Sequence, residues 1–426
     1  MTVGFAEALR VWLKIGCIGF GGPAGQIALM HRILVDEKKW IDEPRFLHAL
    51  NFCMLLPGPE AQKLATYVGW LLHGTRGGLV AGILFVLPGA LVMLAVSLLY
   101  VLGRGIPAVD GALFGIKAAV LVIVVEALIR IGRRSLKTRL LVGLAGAAFV
   151  CIFFLGLPFP LIVAIAAAVG ALALHPQTAG LETTPAPHRW RQAAKATVVG
   201  LALWWAPVAL ILVLLGAEHV LMDIALFFSK LAVVSFGGAY ALLAYMAQEA
   251  VESYRWMSAP EMVDGLGLAE TLPGPLIKVT QFVGFLGAWR NPEPLSPALA
   301  GIVGAALTTW VTFVPPMLLI FAGAPFIEQL RSNRRVSGAL AAITAAVVGV
   351  ILNLTIWFAL HVLFAEVREA RAGPLRWYAF DPSSLDWQAC ALALVAAVLA
   401  FRLHRGLVEL VAVMALLGIA VRFIFT

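Results

Sequence analysis

The stretch Leu55–Glu60, which reads Leu-Leu-Pro-Gly-Pro-Glu, interrupts an apolar segment that runs from residue 44 to residue 73. The same Leu-Pro-Gly-Pro core returns at Leu272–Pro275, inside the apolar segment from residue 260 to residue 289. Proline removes a helical hydrogen-bond donor and clashes with the preceding turn, and glycine accepts backbone angles that other residues avoid. Each motif therefore predicts a helix that stops and restarts within its segment.

A second kind of break precedes each of these motifs. Phe20–Pro23 (Phe-Gly-Gly-Pro) divides residues 5–35, and Phe236–Gly238 (Phe-Gly-Gly) divides residues 221–249. Ala239 follows the second Phe-Gly-Gly where proline follows the first, so we expect the second break to be softer. The four breaks predict half-helices that either cross a membrane or re-enter it.

One offset relates the two sets of breaks. Equivalent residues lie 216 positions apart: Phe20 and Phe236, Trp40 and Trp256, Pro44 and Pro260, and Pro57 and Pro273. A chance recurrence of four motifs at one spacing is improbable. The sequence therefore predicts an internal duplication.

The composition indicates the class of protein. The 426 residues are 62% hydrophobic and 13% charged, with a mean hydropathy of +0.95, whereas soluble domains carry about 25% charged residues. At about 20 apolar residues per span, we predict an all-α polytopic membrane protein with about 10–13 membrane segments. The formal net charge of +8 is interpreted as a record of membrane topology, because basic residues gather in cytoplasmic loops, and not as a sign of nucleic-acid binding.

The pattern also excludes several kinds of chemistry. The four cysteines lie far apart, and neither a zinc-protease, a hydrolase nor a phosphate-loop motif occurs. No metal, cofactor or enzymatic activity is predicted. An intramembrane enzyme is the alternative from another class.

Nine apolar stretches are predicted to span the membrane as plain helices. They are residues 77–102, 111–131, 140–156, 158–174, 197–216, 296–322, 336–364, 387–403 and 407–424. Residues 175–195 are rich in proline and polar side chains, which predicts an exposed linker. We therefore divide the chain into an N-terminal membrane repeat (1–175), a cytoplasmic linker with a connecting helix (176–217), and a C-terminal membrane repeat (218–426).

Charge predicts how the repeats are oriented. The basic loop at residues 130–139 follows the span 111–131, whereas the basic cluster at residues 331–335 precedes the matching span 336–364. Because basic loops are cytoplasmic, the two repeats are predicted to be inverted relative to each other, with the extra helix 197–216 supplying the odd crossing. The N-terminus is then cytoplasmic.

Inverted repeats with paired broken helices are typical of transporters whose site lies between the repeats. The first amides of each restarted helix lack intrahelical partners and carry partial positive charge, which favours an anion. Lys63 and Lys278 each lie one turn into a restarted helix, so both are predicted to bind a tetrahedral oxyanion. The alternative is that each lysine extends to the membrane surface.

Other ionisable residues are candidates for proton coupling. Glu60 and Glu270 flank the two Pro-Gly-Pro motifs. Three roles are open for them: they carry protons, they pair with the lysines, or they face water at a helix end. Lys117 and Glu126 occupy one predicted span, where charges are costly and usually face the bundle interior. Structural pairing and a path for a coupling ion are both open for them.

At these residues the chain resembles the chromate ion transporter family, in its long two-domain form. The resemblance is carried by Phe20–Arg32 (FGGPAGQIALMHR), Leu55–Trp70 (LLPGPEAQKLATYVGW), Ser235–Leu243 (SFGGAYALL) and Leu268–Trp289 (LAETLPGPLIKVTQFVGFLGAW). It spans essentially the whole chain and depends on several motifs in order.

The resemblance implies a multi-pass protein of the bacterial inner membrane that exports chromate, confers chromate resistance and uses the proton-motive force. Sulfate is the similar competitor, and a homodimer is a possible assembly. A sulfate or other oxyanion carrier and an anion channel are the alternative functions. The family signature positions are Phe20, Gly21, Gly22, Pro23, Gln26, Pro57, Gly58, Pro59, Glu60, Gly237, Gly238, Glu270, Pro273, Gly274, Pro275 and Gln281. All of these except Phe20, Pro23 and Glu270 are predicted, together with Lys63 and Lys278, to form the substrate-binding site.

Overall fold

The protein is described from a computed structural model, which covers residues 3–103, 105–174, 190–236, 239–323 and 334–425. These residues are predominantly helical. The first seven helices are α1 Phe5–Ile18, α2 Gly22–His31, α3 Glu43–Leu55, α4 Glu60–Gly103, α5 Pro107–Ser135, α6 Arg139–Phe153 and α7 Phe159–Ala173.

Nine further α-helices follow in the described part of the chain. They are α8 Trp190–Leu215, α9 Val220–Val234, α10 Ala239–Gln248, α11 Ala259–Thr271, α12 Val279–Arg290, α13 Pro297–Gly323, α14 Arg334–Leu363, α15 Trp387–Ala397 and α16 Leu407–Phe425. An antiparallel hairpin, β1 Val367–Ala372 and β2 Leu375–Phe380, lies between α14 and α15. This hairpin was not predicted from the sequence.

Side-chain caps explain where several helices begin. Asp42 accepts a hydrogen bond from the Arg45 amide at 2.9 Å at the start of α3. Asp386 accepts one from the Ala389 amide at 2.9 Å at the start of α15. Aspartate is favoured at this position because its carboxylate satisfies an amide that has no partner within the helix.

The described residues confirm an all-α polytopic membrane protein. Six helices are long and apolar enough to cross a membrane: α4, α5, α8, α13, α14 and α16. The shorter apolar helices α6, α7 and α15 coincide with the remaining predicted spans. Helix α4 is bent at His73 and Gly74, whose backbone angles are not helical, so it combines a half-helix from residue 60 with the span predicted from residue 77. The total of 10–13 membrane segments stays a prediction.

Local conformation recurs at the offset of 216 residues. A π-helical turn covers Arg32–Glu37, and another covers Glu249–Ser253. Each is followed by a residue other than glycine with positive φ, Lys39 at 51° and Arg255 at 54°. Such residues are uncommon, so their recurrence in one register strengthens the predicted duplication.

The chain forms two compact units, and each contains segments of both predicted repeats. Unit 1 comprises residues 1–94, 170–242 and 272–340, and unit 2 comprises residues 95–169, 243–271 and 341–426. Packing units and duplicated sequence are different properties, so the division at residues 175 and 217 stays a prediction. Residues 175–189 of the predicted linker and Arg331 of the basic cluster lie outside the described residues.

Small residues allow close helix packing within each unit. In unit 1, a Cβ atom on Gly284 of α12 would lie 1.9 Å from the Thr308 hydroxyl oxygen of α13. In unit 2, a Cβ atom on Gly115 of α5 would lie 1.8 Å from the Met414 carbonyl oxygen of α16. Membrane helices associate through such close backbone contacts, because the surrounding lipid is as apolar as the side chains.

The hairpin is attached to α6 in unit 2 by one buried arginine. Arg376 of β2 is 4% exposed, and its guanidinium donates to the carbonyls of Ile152 at 2.7 Å and Phe153 at 3.4 Å. These carbonyls belong to the last turn of α6, which lacks intrahelical donors. The same guanidinium donates to the Glu252 carboxylate at 3.1 Å, which balances its charge.

We expect Arg376→Ala to lower the melting temperature of the detergent-solubilised protein by several degrees. The change removes the guanidinium donor from the α6 carbonyls and the cationic partner from the Glu252 carboxylate, which keeps its hydrogen bond from the Tyr378 hydroxyl, at a cost of about 3 kcal/mol. Arg368→Ala is the control, because Arg368 lies in the same hairpin with a side chain that is 82% exposed. Equal melting temperatures for the two variants would contradict this role for Arg376.

Candidate functional site at the helix breaks

Both Leu-Pro-Gly-Pro motifs break their helices as predicted. Helix α3 ends at Leu55 and α4 begins at Glu60, and Gly58 between them has φ +103°. Helix α11 ends at Thr271, a 3₁₀ turn covers Leu276–Lys278, and Gly274 has φ +94°. Positive φ strains residues that carry a Cβ atom. Both breaks therefore depend on glycine at the centre of the motif.

The Phe-Gly-Gly motifs also separate helices. Helix α1 ends at Ile18 and α2 begins at Gly22, with Gly21 at φ +87° and Gly22 at φ +64°. In the second half, α9 ends at Val234 and α10 begins at Ala239. Gly237 and Gly238, which are predicted site residues, lie outside the described residues.

The four breaks meet in two crossed pairs, all within unit 1. The Gly58 amide donates to the Ser235 carbonyl at 3.0 Å, which joins the first Pro-Gly-Pro motif to the second Phe-Gly-Gly motif. The Gly274 amide donates to the Gly19 carbonyl at 2.9 Å, which joins the second Pro-Gly-Pro motif to the first Phe-Gly-Gly motif. Gly58 and Gly274 lie 216 positions apart, as do Gly19 and Ser235. The two contacts are therefore made by equivalent residues.

Each Pro-Gly-Pro break also packs tightly against a long helix. A Cβ atom on Gly58 would lie 2.5 Å from the Cγ atom of Pro316 in α13. A Cβ atom on Gly274 would lie 3.3 Å from the Cα atom of Gly89 in α4, and one on Gly89 would lie 2.4 Å from the Pro273 carbonyl oxygen. The breaks thus have no room for a larger residue at the central glycine.

Lys63 and Lys278 are both buried, with 1% of their surface exposed. The Lys63 ammonium donates to the Leu56 carbonyl, and the Lys278 ammonium donates to the Leu272 carbonyl at 2.7 Å and the Gly274 carbonyl at 3.3 Å. Each ammonium therefore lies at the carboxyl end of the preceding half-helix, where the helix dipole favours a cation. This burial excludes the alternative in which either lysine extends to the surface of the protein.

Glutamines line the same region. The Gln26 amide donates to the Gly274 carbonyl at 2.6 Å and the Gly19 carbonyl at 3.1 Å, so it connects both partners of one crossed pair. The Gln281 amide donates to the Ala90 carbonyl at 2.9 Å, and the Gln62 amide donates to the Phe313 carbonyl at 3.0 Å. Gln62 was not predicted, because its only sequence signal is that it precedes Lys63.

The side-chain oxygens of these three glutamines are buried and have no hydrogen-bond partner among the described residues. A buried polar atom that lacks a partner costs about 1–3 kcal/mol. We therefore expect water or a ligand donor to satisfy the oxygens of Gln26, Gln62 and Gln281. This requirement is consistent with a binding region at the breaks.

The other candidate residues lie on helices α4, α5 and α11. Glu60 begins α4 and is partly exposed, and Glu270 is buried in α11 with 6% of its surface exposed. Glu126 lies 3.6 Å from Arg130 on an exposed face of α5. Lys117 lies 3.0 Å from Asp264 in unit 2. The structure thus does not bring Lys117 and Glu126 together, and Asp264 is a partner that the sequence analysis missed.

Interlocked helix breaks with buried lysines, in a chain of apolar helices, are typical of a membrane transport protein. A family model for chromate transporters matches residues 6–171 and 222–421. The chain belongs to the chromate transporter family, and it is a transport protein and not an enzyme. The two matched regions begin 216 positions apart.

Curated relatives match most of the chain. It is 33% identical over 363 residues to the chromate transport protein of Pseudomonas aeruginosa, with 83% of this chain and 80% of the relative covered. It is 27% identical to the probable chromate transport protein of Synechococcus elongatus, with 82% and 83% covered. It is 26% identical to the chromate transport protein of Cupriavidus metallidurans, with 83% and 82% covered. No solved structure matches the chain.

We expect Gly58→Ala and Gly274→Ala to reduce thermal stability and transport together. A Cβ atom strains the backbone at positive φ by about 1–3 kcal/mol, and at residue 58 it also meets the Pro316 ring. Gly146→Ala is the control, because Gly146 lies in α6 with no atom within 4 Å of a Cβ atom built there. Melting curves and vesicle uptake measure the two effects. Unchanged values for both break variants would show that the breaks tolerate a side chain.

Proposed function

We propose that this protein is a secondary transporter that exports chromate across the bacterial inner membrane, is coupled to the proton-motive force and confers chromate resistance. The observation that carries the proposal is the pair of crossed breaks, each with a buried lysine. Membership of the chromate transporter family and the chromate transport proteins among the relatives support the choice of substrate.

The chemistry of the breaks suits a tetrahedral dianion. An ammonium has three N–H donors, so Lys63 and Lys278 can each retain a backbone carbonyl while binding an oxyanion. Two ammonium charges match the two negative charges of chromate in number, and hydrogen bonds from an ammonium to an oxyanion are among the strong, charge-assisted ones. Sulfate has the same charge and shape, so a sulfate carrier is an outcome that the experiment must distinguish.

We further propose that the two halves are inverted copies and that access to the breaks alternates between the two sides of the membrane. The recurrence of break geometry, π-helical turns and positive-φ residues at one offset supports the duplication. The crossed pairs link the halves by two amide hydrogen bonds, so movement of one half against the other would have to exchange these bonds for bonds to water or substrate. We also propose that the N-terminus is cytoplasmic and that the protein forms a homodimer.

We expect Lys63→Ala and Lys278→Ala each to reduce chromate uptake into everted membrane vesicles by about tenfold or more. Removing one buried partner of a charge pair costs about 2–5 kcal/mol. The assay measures radiolabelled chromate in vesicles with an imposed pH gradient, acid inside, because export from the cell becomes uptake into everted vesicles. Lys137→Ala is the matched control, because Lys137 is exposed in the loop between α5 and α6.

Full chromate uptake by both Lys63→Ala and Lys278→Ala, with protein present in the membrane, would contradict the assignment of the two lysines to the binding site. Accumulation of labelled sulfate in place of chromate would favour a sulfate carrier. Chromate flux that is independent of the pH gradient would favour a channel.

A further inference from the structure

Unit 2 contains a buried charged cluster that includes none of the residues of the helix breaks. Asp264 of α11 is 3% exposed, and one of its carboxylate oxygens lies 3.0 Å from the Lys117 ammonium of α5. The Tyr100 hydroxyl at the end of α4 donates to its other oxygen at 2.8 Å. Charges inside apolar helices are costly and usually mark functional positions.

The cluster lies at a cavity of about 220 Å³. Its lining residues are Asp110, Leu113, Phe114, Lys117, Asp264 and Arg422. The volume has room for several water molecules, so Asp264 is buried and still within reach of water. Gly267, one turn beyond Asp264, permits this arrangement, because a Cβ atom there would lie 2.7 Å from the Ile116 side chain of α5.

Only one of the predicted repeats carries the charged pair. His48 lies 216 positions before Asp264. The spans 111–131 and 336–364 align at a different offset, 227 positions, which pairs Gly111 with Gly338 and Lys117 with Thr344. The lysines of the breaks, in contrast, occur in both halves. A function for the cluster is therefore different from binding a substrate between two equivalent half-sites.

The cavity lies toward one end of α5. Lys117 and Arg130 are thirteen residues apart, which is about 20 Å along a helix, and Asp110 lies further from the basic end. Helix α16 runs antiparallel to α5, because Gly111 meets Ile419 while Gly115 meets Met414. The basic residues that precede α16 therefore lie toward the same end as the basic loop after α5. They are Arg402, His404 and Arg405.

Basic loops are cytoplasmic in the proposed orientation. The cavity is then on the periplasmic side of α5, where the proton-motive force supplies protons. In the described part of the chain, the charged residues that line this cavity with Asp264 are Asp110, Lys117 and Arg422, and the Tyr100 hydroxyl bonds the Asp264 carboxylate. The positive charges of Lys117 and Arg422 balance the negative charges of Asp110 and Asp264. One added proton therefore changes the net charge of the cluster.

We propose that Asp264 is the proton-binding carboxylate of the coupling step, with Lys117 as its counter-ion. A proton passes from hydronium in the cavity to a carboxylate oxygen, and the neutral acid no longer pairs with Lys117. The ion pair re-forms when the proton leaves on the cytoplasmic side. This inference rests on the proposed function, since it names the residue through which proton coupling acts.

The test uses the purified full-length protein in liposomes and compares two reactions of chromate. Exchange of labelled for unlabelled chromate across the membrane needs no net proton movement, whereas accumulation against a gradient does. We expect Asp264→Asn to keep exchange within about twofold and to lose pH-gradient-driven accumulation by about tenfold or more, because the amide cannot bind and release a proton. Glu409→Gln, an exposed carboxylate on α16, is the control and leaves both reactions unchanged.

A second variant keeps the test decisive if Asp264→Asn does not fold. Tyr100→Phe removes a hydrogen bond to the charged carboxylate, so the pH at which accumulation is half-maximal rises by about one unit. Gradient-driven accumulation by Asp264→Asn, loss of exchange together with accumulation, or an unchanged pH profile in Tyr100→Phe would each overturn the inference. If the unmodified protein exchanges chromate but ignores the pH gradient, the proposed coupling itself fails, and the inference fails with it.

Discussion

The structure depends on one constraint: a backbone that leaves the helical path inside an apolar chain must find hydrogen-bond partners within the protein. The Pro-Gly-Pro and Phe-Gly-Gly breaks meet this constraint by exchanging bonds with each other, through the Gly58 and Gly274 amides. Lys63 and Lys278 satisfy carbonyls at the same breaks. The described backbone groups of the breaks named here are therefore satisfied within the protein.

The same arrangement explains how buried lysines can be stable and still available. Each ammonium lies at the carboxyl end of a half-helix, where the dipole offsets part of the cost of burying a charge. Backbone carbonyls hold the ammonium without cancelling its charge. In the proposed function, an arriving dianion adds negative charge beside these two ammonium groups.

The two halves and the two compact units divide the chain differently, and this difference has a physical basis. Duplication sets which residues are equivalent, while packing sets which surfaces are buried. Equivalent breaks lie together in unit 1. Asp264 and Lys117 lie in unit 2, and the corresponding residues of the other half are His48 and Thr344, so the pair of carboxylate and ammonium occurs in one half only. The proposed binding region draws on both halves, whereas the charged cluster occurs in one half, which is compatible with a carrier that uses its halves unequally.

The sequence by itself determined the helical membrane class and the positions of the breaks, because proline, glycine and apolar periodicity act over a few residues. It also indicated the duplication, because motif spacing is a property of chain order. Only the tertiary structure decided which break meets which, that Gln62 joins the site, and that Lys117 pairs with Asp264 and not with Glu126. These contacts join residues more than a hundred positions apart, where no local pattern specifies a partner and close packing at glycines makes the choice.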